Sequence, residues 1–359
     1  MPLFRRRQVL AASSLLAMPA IRRAGAQGKK RISFTLPWVA EGSNLVAYVA
    51  KGKGYWDEAG LDVQISRGYG SVGAAQAIGA GRFDFGLAAA SAGIQQTASG
   101  LPVIAIACSG YDATMGICVL KDGPIQKPQD LAEKTLGSAP ASGEYPYLPA
   151  YFRQIGIDPN SVKIQATDPN VRTRILIDKQ VPAVSGFAIS IAPVTQAAHV
   201  PVRFFLFSAA GLKQYNNMLL TTPAWLKKDP ETCKAIADGL ARANRDVLLD
   251  PEGAVDLFMR QVPEMALEKN GREVVKVGLG IYQWNMIQPP AIQHGIGYSA
   301  PDDYESMIDA VMRYAVGHDA NRPSVDQVMT NQFSGHVTLT AAEWNSAGAK
   351  AATYRELLS

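Results

Sequence analysis

Cysteine is scarce in this chain: three stand among 359 residues, at Cys108, Cys118 and Cys233, and none forms a CxxC pair or a zinc-type cluster. A fold stapled by disulfides and a cysteine-held metal are therefore excluded. Histidine is equally thin, with His199, His294, His318 and His336 scattered along the chain, and there is no HExxH and no GxSxG. A zinc hydrolase or a serine hydrolase has no local motif to rest on. Beyond the first 27 residues no stretch of 18 uncharged apolar residues is long enough to span a bilayer. Internal repeats and low-complexity tracts are absent as well.

An excess of positive charge is also missing once its source is located. The formal net charge is +4, but the first 27 residues hold Arg5, Arg6, Arg7, Arg22 and Arg23 and no acid. Without them 30 basic residues face 31 acidic ones. No basic run remains that tracks a phosphate backbone, so nucleic acid is excluded as a partner. What is present is a globular composition: 47% hydrophobic and 18% charged residues, enough apolar material to offset the entropy of ordering. The length suggests two lobes.

The amino terminus reads as an address. Arg5-Arg-Arg-Gln8 precedes a mostly apolar run from Val9 to Ile21 and then Ala24-Gly25-Ala26, a small-x-small cleavage pattern. Twin arginines before a moderately apolar segment resemble a Tat-type signal, with a Sec signal as the alternative. Residues 1–26 are thus expected to be a signal peptide cleaved near Ala26, and the mature chain to be periplasmic. No cysteine precedes Cys108, which argues against a lipoprotein anchor. Cys108 and Cys118 lie on two successive apolar runs and could pair across them, but buried free thiols are the expected state.

Along the mature chain short apolar strands alternate with helices. Strands are expected at 31–36, 61–66, 83–88 and 103–108, and helices at 44–53, 74–80 and 91–99. After the turn signals of Asp122 to Pro128 come strands at 136–139, 162–166, 183–187 and 202–207 and helices at 147–154 and 172–178. From Pro223 long amphipathic helices take over, at 229–249, 251–261, 271–284, 301–316 and 341–358. This order predicts an α/β protein with a mainly parallel sheet. Gly68-Tyr-Gly70-Ser-Val-Gly73 formally matches a dinucleotide fingerprint, yet the acidic residue expected about 20 positions later is missing, with Asp84 too early and Asp112 too late. A glycine-eased turn is the better reading.

Three blocks carry a resemblance. Trp38 followed by Tyr48-Val-Ala-Lys-Gly-Lys-Gly-Tyr-Trp-Asp-Glu-Ala-Gly-Leu-Asp-Val63, then Ala75 to Ala90 with Gly81-Arg-Phe-Asp84-Phe-Gly, and then Ile125-Gln-Lys-Pro-Gln-Asp-Leu-Ala-Glu-Lys-Thr-Leu-Gly137 are the segments concerned. Together they resemble the periplasmic solute-binding proteins of the nitrate/sulfonate/taurine and thiamine-precursor (NMT1/THI5-like) family, with weaker echoes at 156–162 and 181–187. The similarity runs from about residue 31 to about 265. It implies a type II periplasmic-binding fold: two α/β lobes, two crossover segments and a ligand cleft, the first lobe at 31–122 plus 214–359 and the second at 123–213. It further implies a monomer that captures a small molecule and delivers it to an ABC permease with its ATPase, touching the membrane only through that permease. No cofactor, metal or catalytic residue is expected.

Within that frame ligands gather at the carboxyl ends of strands and at helix starts. Trp38 follows the first strand, as a stacking platform or a wedge. Glu41, Ser43 and Asn44 open the first helix, where Ser43 and Asn44 also suit a capping role. Ser91 stands at the next helix start in the cleft. Ser142, Gly143, Glu144 and Tyr145 match the place where family members use a Gly-rich helix start to hold a polar or anionic group. Ser185 and Phe187 end a strand of the second lobe, and Asn216 and Asn217 lie near the return crossover. The chain departs from the thiamine-pyrimidine branch, which usually has Asp before the cleft Trp and His near the place of Asn44; Pro37 and Asn44 stand there instead. It also lacks the clustered-cysteine motif of the related pyrimidine-synthesising enzymes. Mostly apolar, neutral loops favour an aromatic or heterocyclic organic solute over nitrate, and the resemblance adds a sulfonate-like solute. An enzyme on the same fold and a sensory binding protein remain the alternatives.

Overall fold

The structure is a computed structural model, and residues 28–358 are described; the signal sequence read at 1–26 lies outside them. Among the described residues ten strands form two five-stranded sheets. The first contains β1 (Lys30–Thr35), β2 (Leu61–Ser66), β3 (Phe85–Ala89), β4 (Ile104–Cys108) and β10 (Asn217–Thr221), in the order β2-β1-β3-β10-β4. The second contains β5 (Met115–Leu120), β6 (Thr135–Ser138), β7 (Lys163–Ala166), β8 (Ala183–Phe187) and β9 (Val202–Leu206), in the order β7-β6-β8-β5-β9. In each order the fourth strand comes from the segment that has just crossed between the sheets.

Those two crossing strands correct the sequence reading. The β10 strand runs antiparallel to β3 and β4, and β5 antiparallel to β8 and β9. Each sheet is therefore mixed. Because β5 pairs only within the second sheet, the first crossing occupies residues 109–114, earlier than the expected boundary at 122/123. The return lies at 207–216. Both strands are short and buried along their whole length, so they show no alternation to betray them.

The crossings are pinned to each other and to the carboxy-terminal tail. Ser109 N–H donates to Asn217 O (2.8 Å), Asn216 N–H to Gly110 O (2.9 Å) and Ala113 N–H to Gln214 O (2.7 Å). The buried Asn285 side chain accepts through Oδ1 from the N–H groups of Tyr111 and Asp112, both at 2.7 Å, and donates to Asp112 O. Tyr111 packs edge-on against Tyr215 with ring centroids 5.1 Å apart.

The tail supplies the long helices Pro230–Leu249, Pro251–Gln261, Gly271–Met286, Pro301–Tyr314 and Ala341–Arg355. Asp229 and Asp250 each precede a proline and cap the next helix, accepting from Thr232 N–H and Gly253 N–H at 3.0 Å. The tail does not belong to the first lobe alone. Helix Gly271–Met286 also packs on helix Ala188–Ala197 of the second lobe. A Cβ added at Gly42 would lie 2.2 Å from Val275 O and 2.6 Å from Leu279 N, so the first-lobe loop seats directly on this helix backbone. The same helix presents Gly278 to Gly42 and to Pro193 of the second lobe.

Cys108 stands in the first sheet and Cys118 in the second; both are free and buried, as is Cys233. Burial pushes the Cys108 thiol up to about 12 and that of Cys233 up to about 11. Among the described residues no helix is long and apolar enough to cross a membrane, and no group of three potential metal ligands occurs.

Candidate functional site

Between the two sheets lies a cleft with about 420 Å³ of empty space, including its part open to solvent. Both lobes line it. The first contributes Pro37, Trp38, Glu41, Ser43, Gly70 and Ser71 and, from the return, Asn216 and Asn217; the second contributes Ser142, Arg172, Phe187, Ile189 and Ser190.

Most of these positions follow from where strands end. The chain leaves β1 at Pro37 and Trp38, and the glycine turn after β2 holds that exit: Gly68 N–H donates to Trp38 O (3.0 Å) and Gly70 N–H to Pro37 O (2.9 Å). Gly70 has φ +123° and abuts the second lobe, where a Cβ would lie 2.3 Å from Ala141 O. The fingerprint-like glycines therefore serve a turn and a close contact between lobes. On the opposite side, β7 leads through 167–171 to Arg172 at the start of helix Arg172–Ile177, and β8 leads through Phe187 to Ser190.

Charge is concentrated in three side chains. Glu41 Oε1 accepts from Ser43 Oγ and from Ser190 Oγ, each at 2.6 Å, and the second bond joins the lobes. Burial raises the Glu41 carboxyl above its ordinary range, opposed by the two serine hydroxyls and by the Arg172 charge. Glu144 is fully buried; Oε2 accepts from Ser142 Oγ and Oε1 from Ser185 Oγ (3.0 Å), which in turn lies 2.6 Å from Ser138 Oγ. Arg172 has a side chain only 5% exposed, with Nη1 3.8 Å from Glu144 Oε1, and its Nε–H has no hydrogen-bond partner among the described residues. Its guanidinium faces the Trp38 ring of the other lobe at 5.9 Å.

The expected site residues divide accordingly. Trp38, Glu41, Ser142, Phe187 and Asn217 line the cleft, together with Ser43 and Asn216. Asn44 does not: fully buried, it donates to Val39 O (2.9 Å) and accepts from Glu41 N–H (3.2 Å), fastening the loop that carries Glu41. Ser91 is buried with an unpartnered hydroxyl, and neither it nor Gly143, Tyr145 or Ser185 is among the lining residues. Glu144 sits behind the surface, so the turn expected to hold an anionic group holds the protein's own carboxylate. Arg172 and Ser190 went unread in the sequence, although helix start and strand end, the rule applied elsewhere, point to both. The neutral loops inferred from sequence thus conceal a guanidinium.

Two mixed α/β lobes joined by paired crossings, with a cleft lined from both, define the type II periplasmic-binding fold. The alkanesulfonate-binding protein SsuA from Xanthomonas axonopodis pv. citri, solved bound to MOPS, shares it with a TM-score of 0.63 at 12% identity, over 84% of this chain and 99% of that one. The NMT1/THI5 like family model matches residues 43–254, and the chain belongs to that family. Two relatives are similar across most of their length. The 4-amino-5-hydroxymethyl-2-methylpyrimidine phosphate synthase THI11 of Saccharomyces cerevisiae is 25% identical over 66% of this chain and 72% of its own. The riboflavin-binding protein RibY of Chloroflexus aurantiacus is 23% identical over 80% of this chain and 81% of its own.

Proposed function

We propose that this protein is an exported solute-binding protein that closes its two lobes around a small organic ligand and hands it to an ABC importer. The observation that carries the reading is the Ser190 to Glu41 hydrogen bond, which joins the lobes inside the cleft and ties closure to the groups a ligand would meet. Closure of this kind needs only that ligand prefer the closed form. The likeness to binding proteins in fold, and to RibY in sequence over four fifths of the chain, supports it.

The synthase reading draws on the name of THI11. Against it stands the cleft lining, which contains neither histidine nor cysteine, while the three thiols are buried in or beside the sheets with their ionisation suppressed. A thermal-shift screen of the purified protein against flavins, pyrimidines, sulfonates, nitrate and aromatic carboxylates separates the two. A ligand at about 100 times its Kd stabilises by about 2.7 kcal/mol. Stabilisation by a solute recovered chemically unchanged is the expected result; consumption of the solute overturns the reading.

A further inference from the structure

We infer that Arg172 is a ligand-contacting residue and that, with Glu41, it selects a planar heterocycle presenting a hydrogen-bond acceptor and an N–H donor on one edge, as a lactam, an imide or an amino-substituted ring nitrogen does. The inference rests on the cleft being the binding site.

The starting point is an imbalance. A guanidinium carries five N–H donors in a fixed plane and is always charged, so burying it without acceptors costs more than leaving an ordinary polar group unpaired. Here the side chain is 5% exposed, Nε–H is buried and unpartnered, and the nearest carboxylate oxygen is 3.8 Å from Nη1, beyond hydrogen-bond length. Glu144 does not swing in to close that gap, because Ser142 and Ser185 already hold its two oxygens. The fork is also locked in place. It lies against the backbone of Gly186, where a Cβ would come within 2.6 Å of Cζ, and it faces Trp38. A rigid, charged donor with missing acceptors on the wall of a cleft is complementary to an acceptor supplied from outside.

Glu41 presents the opposite deficit. Both serine bonds fall on Oε1, and among the described residues Oε2 accepts no hydrogen bond. One ligand edge with an acceptor for Arg172 and an N–H for Glu41 meets both needs. A nitrate or a sulfonate meets only the first and encounters two carboxylates, Glu41 and Glu144, against one guanidinium. A simple ammonium meets only the second. The aromatic rings of Trp38 and Phe187 on the same cleft add the preference for a flat body.

Calorimetric titration tests this with stated probes: lumichrome, uracil and 4-aminopyrimidine as parent rings, 1,3-dimethyllumichrome, 1,3-dimethyluracil and 4-(dimethylamino)pyrimidine as donor-blocked counterparts, and nitrate and ethanesulfonate as anions. At least one parent ring is expected to bind, and blocking its N–H to weaken it about 10-fold or more. Arg172→Lys keeps the charge beside Glu144 but loses the planar fork, and is expected to weaken the parent about 10- to 100-fold. Gly186→Ala, which displaces the guanidinium without changing any charge, is a second route to the same loss. Glu41→Gln retains an acceptor for both serines and is expected to abolish the distinction between parent and blocked ring. Binding of nitrate or ethanesulfonate with no parent ring bound, binding of none of the probes, or parent affinity unchanged in Arg172→Lys and Gly186→Ala, overturns the inference. Anion binding with the anion recovered intact leaves the solute-binding reading standing; turnover of a bound ring brings that reading down instead.

Discussion

The two lobes are built on one strand order and finished differently. In the first, the sheet is enclosed by tail helices, and Trp56 is sunk to 1% exposure against Phe34, its indole N–H donating to Ile236 O of helix Pro230–Leu249. In the second, the edge strand Lys163–Ala166 is exposed at every residue, and the covering helices are short. Yet the thinner lobe carries Arg172 on the cleft wall and the buried Glu144 carboxylate behind it. A shared topology therefore fixes where the cleft falls, whereas the helices added to one side decide which lobe is the platform. The tail helix Gly271–Met286, seated on Gly42 and reaching Pro193, couples the two.

The sharpest way to break this comparison is to damage one lobe and watch the other. Trp56→Ala is expected to cost about 3–5 kcal/mol in the first lobe. Phe207→Ala, which removes a fully buried ring stacked at 4.5 Å on Tyr151, is expected to cost a similar amount in the second. If the tail couples the lobes, both variants lower one common denaturant transition followed by circular dichroism. Two transitions, each moved by only one variant, would contradict the coupling.

Next in size is Asn285→Ala, which strips the acceptor from two crossover N–H groups and is expected to cost about 1–3 kcal/mol, read as a lower denaturation midpoint. An unchanged midpoint would show that the crossings are held by their mutual pairing alone.

Smaller effects separate a buried charge of the cleft from a solvent-facing charge at a helix start. Burial raises the Glu41 carboxyl, so the folded cleft binds a proton more readily than the unfolded chain, and its ionised form weighs against folding at neutral pH. Lowering the pH from 7 towards 5 is expected to stabilise the empty protein relative to Glu41→Gln, whose melting temperature lacks this contribution. Parallel profiles would remove the argument. Asp229 behaves oppositely: Lys30 and the Thr232 N–H and hydroxyl pull its carboxyl down to about 2, so its contribution is present above pH ~4 and fades as the pH falls towards 2. At this solvent-facing site Asp229→Asn still caps the helix, and the expected loss is a few tenths of a kcal/mol at neutral pH, measured by thermal unfolding.

Much of the fold was legible, and each exception has a physical cause. The strands Leu61–Ser66 and Ala183–Phe187 sit where their apolar patterns and flanking turns place them. The crossing strands Met115–Leu120 and Asn217–Thr221 lack alternation because both faces are covered, so period carries no information there. Helix Ala188–Ala197 was hidden by Pro193 in its interior, where proline ordinarily ends a helix. At the cleft, Trp38 was read from its place after the first strand and Glu41 from the start of the first helix, and both line the pocket. Asn44 was read as either a ligand contact or a cap, and it turns inward to fasten the loop, because a helix-start asparagine reads alike in both cases. Arg172 escaped because a lone arginine at a helix start is commonplace on a surface, and it is the fold, seating its guanidinium against Gly186 of β8, that removes it from water.

The most direct test of the central claim is a crystal structure of the protein with whichever probe stabilises it most. The account predicts the probe between Trp38 and Phe187 with its acceptor on Arg172 and its N–H on Glu41. A probe seated instead in the surface hollow lined by Lys53, Asp246 and Arg260, or in the cleft without touching Arg172, would contradict it.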